Sequence, residues 1–320
     1  MKYMLSFVAA AAAMLFNLQP AMSAETVVSK GVLDKDTTWS GEILIKGDVE
    51  VAEKATLTIM PGTVVRFVKI APFGPEKLYS EKEKDNHFPA AELFVRGKMI
   101  AKGEKEKKIT FTSVEKEAKP GDWGGLNFNT SVDNVVENCV IMYADTGVHA
   151  HSSKVTVMNN EFKHNGTAIG NKNLKDNPVK CAIAVERNLI TENGGGVIVG
   201  DGMKVLHNEI SKNQFFGVYG KNLADGTVQF NTISGNGKGA IMYAVKAITL
   251  TDNNIVDNSD YNLSMLEGQA NDLAFPKNWW GTADEQQIRA KVLDKASDPA
   301  LGKADLSNFY TAAVAGAGIL

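Results

Sequence analysis

His149-Ala150-His151 sets two imidazoles at alternate positions, and imidazole is both a proton carrier near neutral pH and a common metal ligand. In an extended strand alternate side chains share a face and stand about 6.5 Å apart. Asp145 is the carboxylate nearest to them upstream. Two histidines rarely hold a metal without a third ligand, so metal binding at His149 and His151 stands beside the plainer reading of two surface imidazoles. Glu161 and Glu209 raise a different chemistry. Glycoside hydrolysis needs two carboxylates about 5 to 9 Å apart, and elimination needs a base with a cation to stabilise developing negative charge. Cys139 and Cys181 invite a disulfide in an oxidising compartment. Each possibility depends on which residues the surrounding elements bring to one face.

Composition removes several classes of function. The net charge is -3 and the charged residues, 22% of the chain, are well mixed, so no basic field exists to hold nucleic acid. Lys2, the apolar run Met4 to Leu18 and the small residues Ala21-Met22-Ser23-Ala24 read as a signal peptide spanning 1–23. The exported chain then has no further run of the ~20 apolar residues that a spanning helix needs. A periplasmic or extracellular protein without a transmembrane segment is the expectation, and no cofactor motif is present.

The elements come from a repeat. Val228-Gln-Phe-Asn231-Thr-Ile233-Ser-Gly-Asn236 returns as Val205 to Asn213, Val185 to Asn193, Val157 to Asn165 and Leu250 to Asn258, with worn copies at Val135 to Val140 and Phe275 to Trp280. The first asparagines fall at 138, 160, 188, 208, 231, 253 and 278. Each copy alternates apolar and polar residues over a few positions and is broken by Asn and Gly, which tolerate the left-handed backbone of a corner. One such unit cannot bury its apolar face alone, whereas a stack of them can. Coils stacked at about 4.8 Å place each inward asparagine over the next, so their amides can bond as a ladder.

On these residues the chain resembles the right-handed parallel β-helix superfamily, of the pectate-lyase-like and NosD types. Trp39 to Val51, Leu57 to Thr63, Glu92 to Ala101, Ile109 to Ser113 and Gly121 to Phe128 resemble its opening coils, and Asn278-Trp279-Trp280-Gly281 its last. The resemblance implies an all-β rod of nine to ten coils over 26–281, closed by a cap and tail over 282–320. Ile288, Val292 and Leu293 fall on one side of a candidate cap helix from Asp284 to Leu293, and Lys303 to Phe309 is a candidate final strand. The small apolar tail from Thr311 to Leu320 is expected to be disordered, docking being the lesser alternative. Lys69 to Ala90 and Asn171 to Lys180 are insertions, where function tends to sit, or solvated excursions.

Columns now follow from the register. One outward column reads His149, Gly170, Ile198, Tyr219, Met242 and Ser264, and two residues on it reads His151, Lys172, Gly200, Lys221, Ala244 and Leu266. The strand after the asparagine presents Cys139, Glu161, Leu189, Glu209, Thr232 and Asn254 outward, while Cys181 points inward. Two free thiols are therefore predicted. Glu161 and Glu209 lie two rungs apart, near ~10 Å, without a basic partner beside both. Enzymes of the superfamily include polysaccharide lyases, glycoside hydrolases and uronan epimerases, but the epimerase motif Asp-Pro-His-Asp does not occur here. Ile198, Tyr219 and Met242 form an apolar stripe that suits a ligand, a partner or a covering loop. The expected function is therefore non-catalytic binding of a cell-envelope or extracellular polysaccharide. A lyase or hydrolase is the alternative. A third is a periplasmic copper accessory protein, because one branch of the superfamily is associated with copper delivery to nitrous oxide reductase.

Overall fold

The computed structural model describes residues 25–178, 180–222 and 225–319; the segment read as a signal peptide lies outside them. Short strands succeed one another in threes and build three parallel sheets of ten, eleven and nine strands among the described residues. The first sheet runs from Thr26–Val28 to Asn254–Val256, the second from Gly31–Leu33 to Val292–Leu293, and the third from Thr37–Trp39 to Thr249–Thr251. The protein is a right-handed parallel β-helix.

Period-two alternation is what winds it. Phe162, Ile190, Ile210, Ile233 and Ile255 stack in register inside the first sheet, and Val157, Val185, Val205, Val228 and Leu250 inside the third, all wholly buried. Each such side chain contributes about 1.5 to 3 kcal/mol of transfer free energy.

Corners are made by two residues acting together. Asn160, Asn188, Asn208, Asn231, Asn253 and Asn278 are buried, and each passes its side-chain amide to the next: Asn208 donates from both its backbone N and its Nδ2 to Oδ1 of Asn231, at 2.9 Å each. A second ladder runs through Asn165, Asn193, Asn213, Asn236 and Asn258. The left-handed residue, however, is not the ladder asparagine. It is the residue before it: Asn159, Arg187, His207, Phe230, Asp252 and Lys277 have φ between 51° and 60°.

This corrects the alignment of the first copy. Cys139, not Asn138, stands in the ladder column, since its backbone N donates to Asn160 Oδ1 at 2.8 Å and Asn138 is the left-handed residue with φ 50°. Cys139 is therefore wholly buried rather than outward, and Val140 pairs with Glu161 on the outer face. Both thiols are free and buried, Cys181 pointing inward as expected.

Beyond the last coil the helix Glu285–Arg289 begins at Asp284, whose carboxylate accepts the Gln286 and Gln287 N–H groups. Ile288 is buried, and Val292–Leu293 adds a last strand to the second sheet instead of extending the helix. The tail is docked, contrary to expectation. Asn254 holds Val314 by two bonds, Val314 N to Oδ1 and Nδ2 to Val314 O, and Gly318 N donates to Phe230 O. No helix among the described residues is long and apolar enough to cross a membrane.

Candidate functional site on the second sheet

The outer face of the second sheet carries the residues singled out above. Its central column reads Glu50, Phe94, Asn127, His149 and Gly170, then Ile198, Tyr219, Ile241 and Ser264. Met242 is not in it. Inward Ala240 fixes the alternation, so Ile241 faces out and Met242 is wholly buried in the core. In Gly-Ala-Ile-Met-Tyr every side chain is apolar or aromatic, and alternation has no polar residue to mark its phase. The same slip puts Tyr243, not Ala244, beside Lys221 in the neighbouring column of His151 and Lys172. Ile198 and Tyr219 do pair as expected, and Phe216 meets the Tyr219 ring edge-on at 5.6 Å.

Two insertions shape this face. Lys69 to Ala90 folds back over the first coils and is fastened by Lys77, whose buried ammonium bonds Asp48 at 2.7 Å, Glu92 at 3.1 Å and the Ala90 carbonyl at 3.0 Å. Burial and the Glu92 carboxylate push the Asp48 carboxyl upward, against the pull of Lys77. Asn171, opening the second insertion, lies flat across Gly200 and donates to the Ile198 carbonyl at 2.7 Å. A Cβ at Gly200 would stand 1.9 Å from Asn171 Oδ1, so any larger residue there would have to displace the Asn171 amide. Against the second insertion a cavity of about 560 Å³ opens, lined by His149, Asn171, Lys172, Ile198, Asp201 and Lys221 among others.

The imidazoles are close and neutral. Their ring centroids are 4.4 Å apart. Burial lowers His149 to about 4 and His151 to about 3, the latter further depressed by His149, Lys172 and His87. Both Nδ1 atoms are buried without a hydrogen-bond partner, as is Asn127 Oδ1. Asp145 accepts from Thr146. Glu161 and Glu209 lie on the first sheet, Glu161 bridged by Lys163 at 2.8 Å and Glu209 raised by burial. The acidic pair and the cavity thus occupy different faces of the rod.

Residues 105–278 match the family model described as "Periplasmic copper-binding protein (NosD)". The chain belongs to the NosD family. No curated protein matches it. Among solved structures, the A-module of an Azotobacter vinelandii mannuronan C-5 epimerase is 13% identical, with 87% of this chain and 91% of that chain covered and a TM-score of 0.48. A double mutant of a periplasmic alginate epimerase is 10% identical, covering 80% of this chain and 73% of that one, with a TM-score of 0.46.

For this NosD-family chain the residues present do not complete a copper site. Among the described residues no three His, Cys, Asp or Glu side chains gather to hold a metal ion. The thiols that would suit a soft ion lie in the core, where burial pushes both upward, away from the thiolate. His149 and His151 offer two neutral nitrogen donors and no third.

Proposed function

We propose that the protein is a periplasmic binding protein for an anionic polysaccharide, held along the outer face of the second sheet. The observation that carries this reading is the cavity itself, where Lys172 and Lys221 and the amides of Asn171, Asn173 and Asn222 surround the apolar floor at Ile198, with the Tyr219 ring on the next rung of the column. Lysines attract carboxylates on a sugar chain, amides bond its hydroxyls, and an apolar floor takes the ring faces. The reading is binding rather than hydrolysis: among the described residues Asp201 is the one carboxylate lining the cavity, and it already accepts the Asp225 N–H at 3.0 Å. Calorimetric titration with oligouronates tests it. Lys172→Ala and Lys221→Ala should each weaken binding about five- to tenfold, the expected size for an exposed charge-assisted bond, and added salt should shrink the difference. Equal affinity for neutral and uronate oligomers sinks the reading, and the appearance of ultraviolet-absorbing unsaturated products would make the protein a lyase.

A second reading, transient copper contact at His149 and His151, is favoured by their unpartnered Nδ1 atoms and by the family description. Two imidazoles fall short of a closed shell, so such an ion would borrow a ligand from a partner. Copper titration of the protein and of the paired variant His149→Ala with His151→Ala decides it; indistinguishable isotherms exclude this site.

A further inference from the structure

The central column of the second sheet is covered rung by rung at its start; beyond the cover Ile198 and Tyr219 are half-buried and reach solvent, and Ile241 and Ser264 further on are buried again. Tyr79 donates to Glu50 and presents its edge to Phe94 at 5.1 Å. His87 stacks on Tyr79 at 3.5 Å and lies 4.4 Å from Phe94. The Asn86 carbonyl accepts from Asn127 Nδ2 at 2.9 Å, and Phe88 packs on His149 at 5.6 Å. Four successive rungs, Glu50, Phe94, Asn127 and His149, are therefore roofed by one insertion. The cavity begins at the next rungs, and the Asp85 carbonyl meets Lys172 at its mouth, 3.0 Å from Nζ.

From this geometry we infer that the groove is blind, and that the protein takes the terminus of its saccharide chain rather than an internal stretch. The inference rests on the proposed function and deepens it. A chain laid along the sheet from the Tyr219 side advances over Ile198 and Gly170 and then meets the wall formed by His149, Phe88 and Asp85. The wall is locked in place, because Lys77 ties the insertion to two buried carboxylates and releasing it would strand all three charges. The volume of about 560 Å³ suits a short chain end. The neutral imidazole of His149 and the exposed ammonium of Lys172 are the groups placed to bond the last sugar unit.

Stoichiometry separates the possibilities. Titrating the intact protein with short, medium and long oligouronates of defined length should give one protein bound per chain at every length, with a dissociation constant per chain that does not change. Occupancy that grows with chain length overturns the inference and leaves the proposed function standing, whereas failure to bind any length removes both. A variant with Ser80 to Phe88 replaced by a short Gly-Ser link, keeping Lys77, should open the wall and convert binding to several proteins per long chain. Phe88→Ala, a smaller change, should keep the one-to-one stoichiometry and weaken binding severalfold; unaltered affinity would place the chain end elsewhere.

Discussion

At the scale of single residues, each corner is a trade between a strained backbone and a saturated amide. A non-glycine residue in the left-handed region costs roughly 1 to 2 kcal/mol, and Arg187, His207, Phe230 and Lys277 all accept it. What offsets the strain is the asparagine that follows. Asn208 Oδ1 accepts both the backbone N and Nδ2 of Asn188, and its own Nδ2 reaches Asn231 Oδ1 and the Val185 carbonyl, every bond between 2.9 and 3.0 Å. Asn208→Ala would strand the buried Asn188 N–H and the Val185 carbonyl, so urea unfolding should show a loss of about 2 to 4 kcal/mol. A loss below about 0.5 kcal/mol, the range of ordinary surface changes, would mean the ladder is ornamental. Asparagine spacing made this ladder readable from sequence, because one residue type recurs. The left-handed partner was not readable, since arginine, phenylalanine and lysine share nothing but position. Cys139 misled for the same reason: a ladder site without its asparagine sits next to an asparagine outside the ladder.

At the scale of elements, the rod positions the site and the insertions decide how much of it is open. The stacking of the coils and most inward columns were legible because hydrophobic alternation repeats coil after coil, Cys139 and Met242 being the inward residues that were read as outward. The Lys69 to Ala90 insertion was legible only as an interruption. Its role depends on Lys77 finding Asp48 and Glu92, 29 and 15 residues away, and nothing local marks a lysine that will be buried. The tail shows the opposite case, in which composition argued for disorder and backbone bonding prevailed. Small residues let the tail backbone come close to the first sheet; a Cβ on Gly318 would lie 3.0 Å from Thr232 Oγ1. The Asn254 amide then pairs with Val314 as a neighbouring strand would. Between them the insertion and the tail cover parts of two faces, leaving the Ile198 and Tyr219 rungs of the second sheet for a ligand.

At the scale of the whole molecule, coils that touch only their neighbours make stability a sum over rungs and interfaces, so a penalty in one rung is felt by the rod wherever unfolding is cooperative. His149 and His151 provide a penalty that pH controls. Unfolded, each would titrate near 6.5; folded, burial holds them at about 4 and about 3. Their folded values are depressed, so acid favours the unfolded chain: stability is complete above about pH 6.5 and is lost as pH falls toward the folded values. At about pH 5 the cost is about 2 kcal/mol for each histidine and about 4 kcal/mol for the pair. Asp48 and Glu209 act in the other direction, because their raised carboxyls relieve the folded state on protonation, and they blunt the acid end of the curve. Denaturant midpoints of the intact protein should therefore drop between about pH 7.5 and pH 5, with two probes of unfolding agreeing if the rod is cooperative. Replacing both residues, His149→Gln with His151→Gln, should flatten that interval while leaving the fold intact. A variant whose midpoint falls as steeply as the parent's would show that the imidazoles already titrate normally in the folded protein, which is incompatible with a dry, roofed end to the groove.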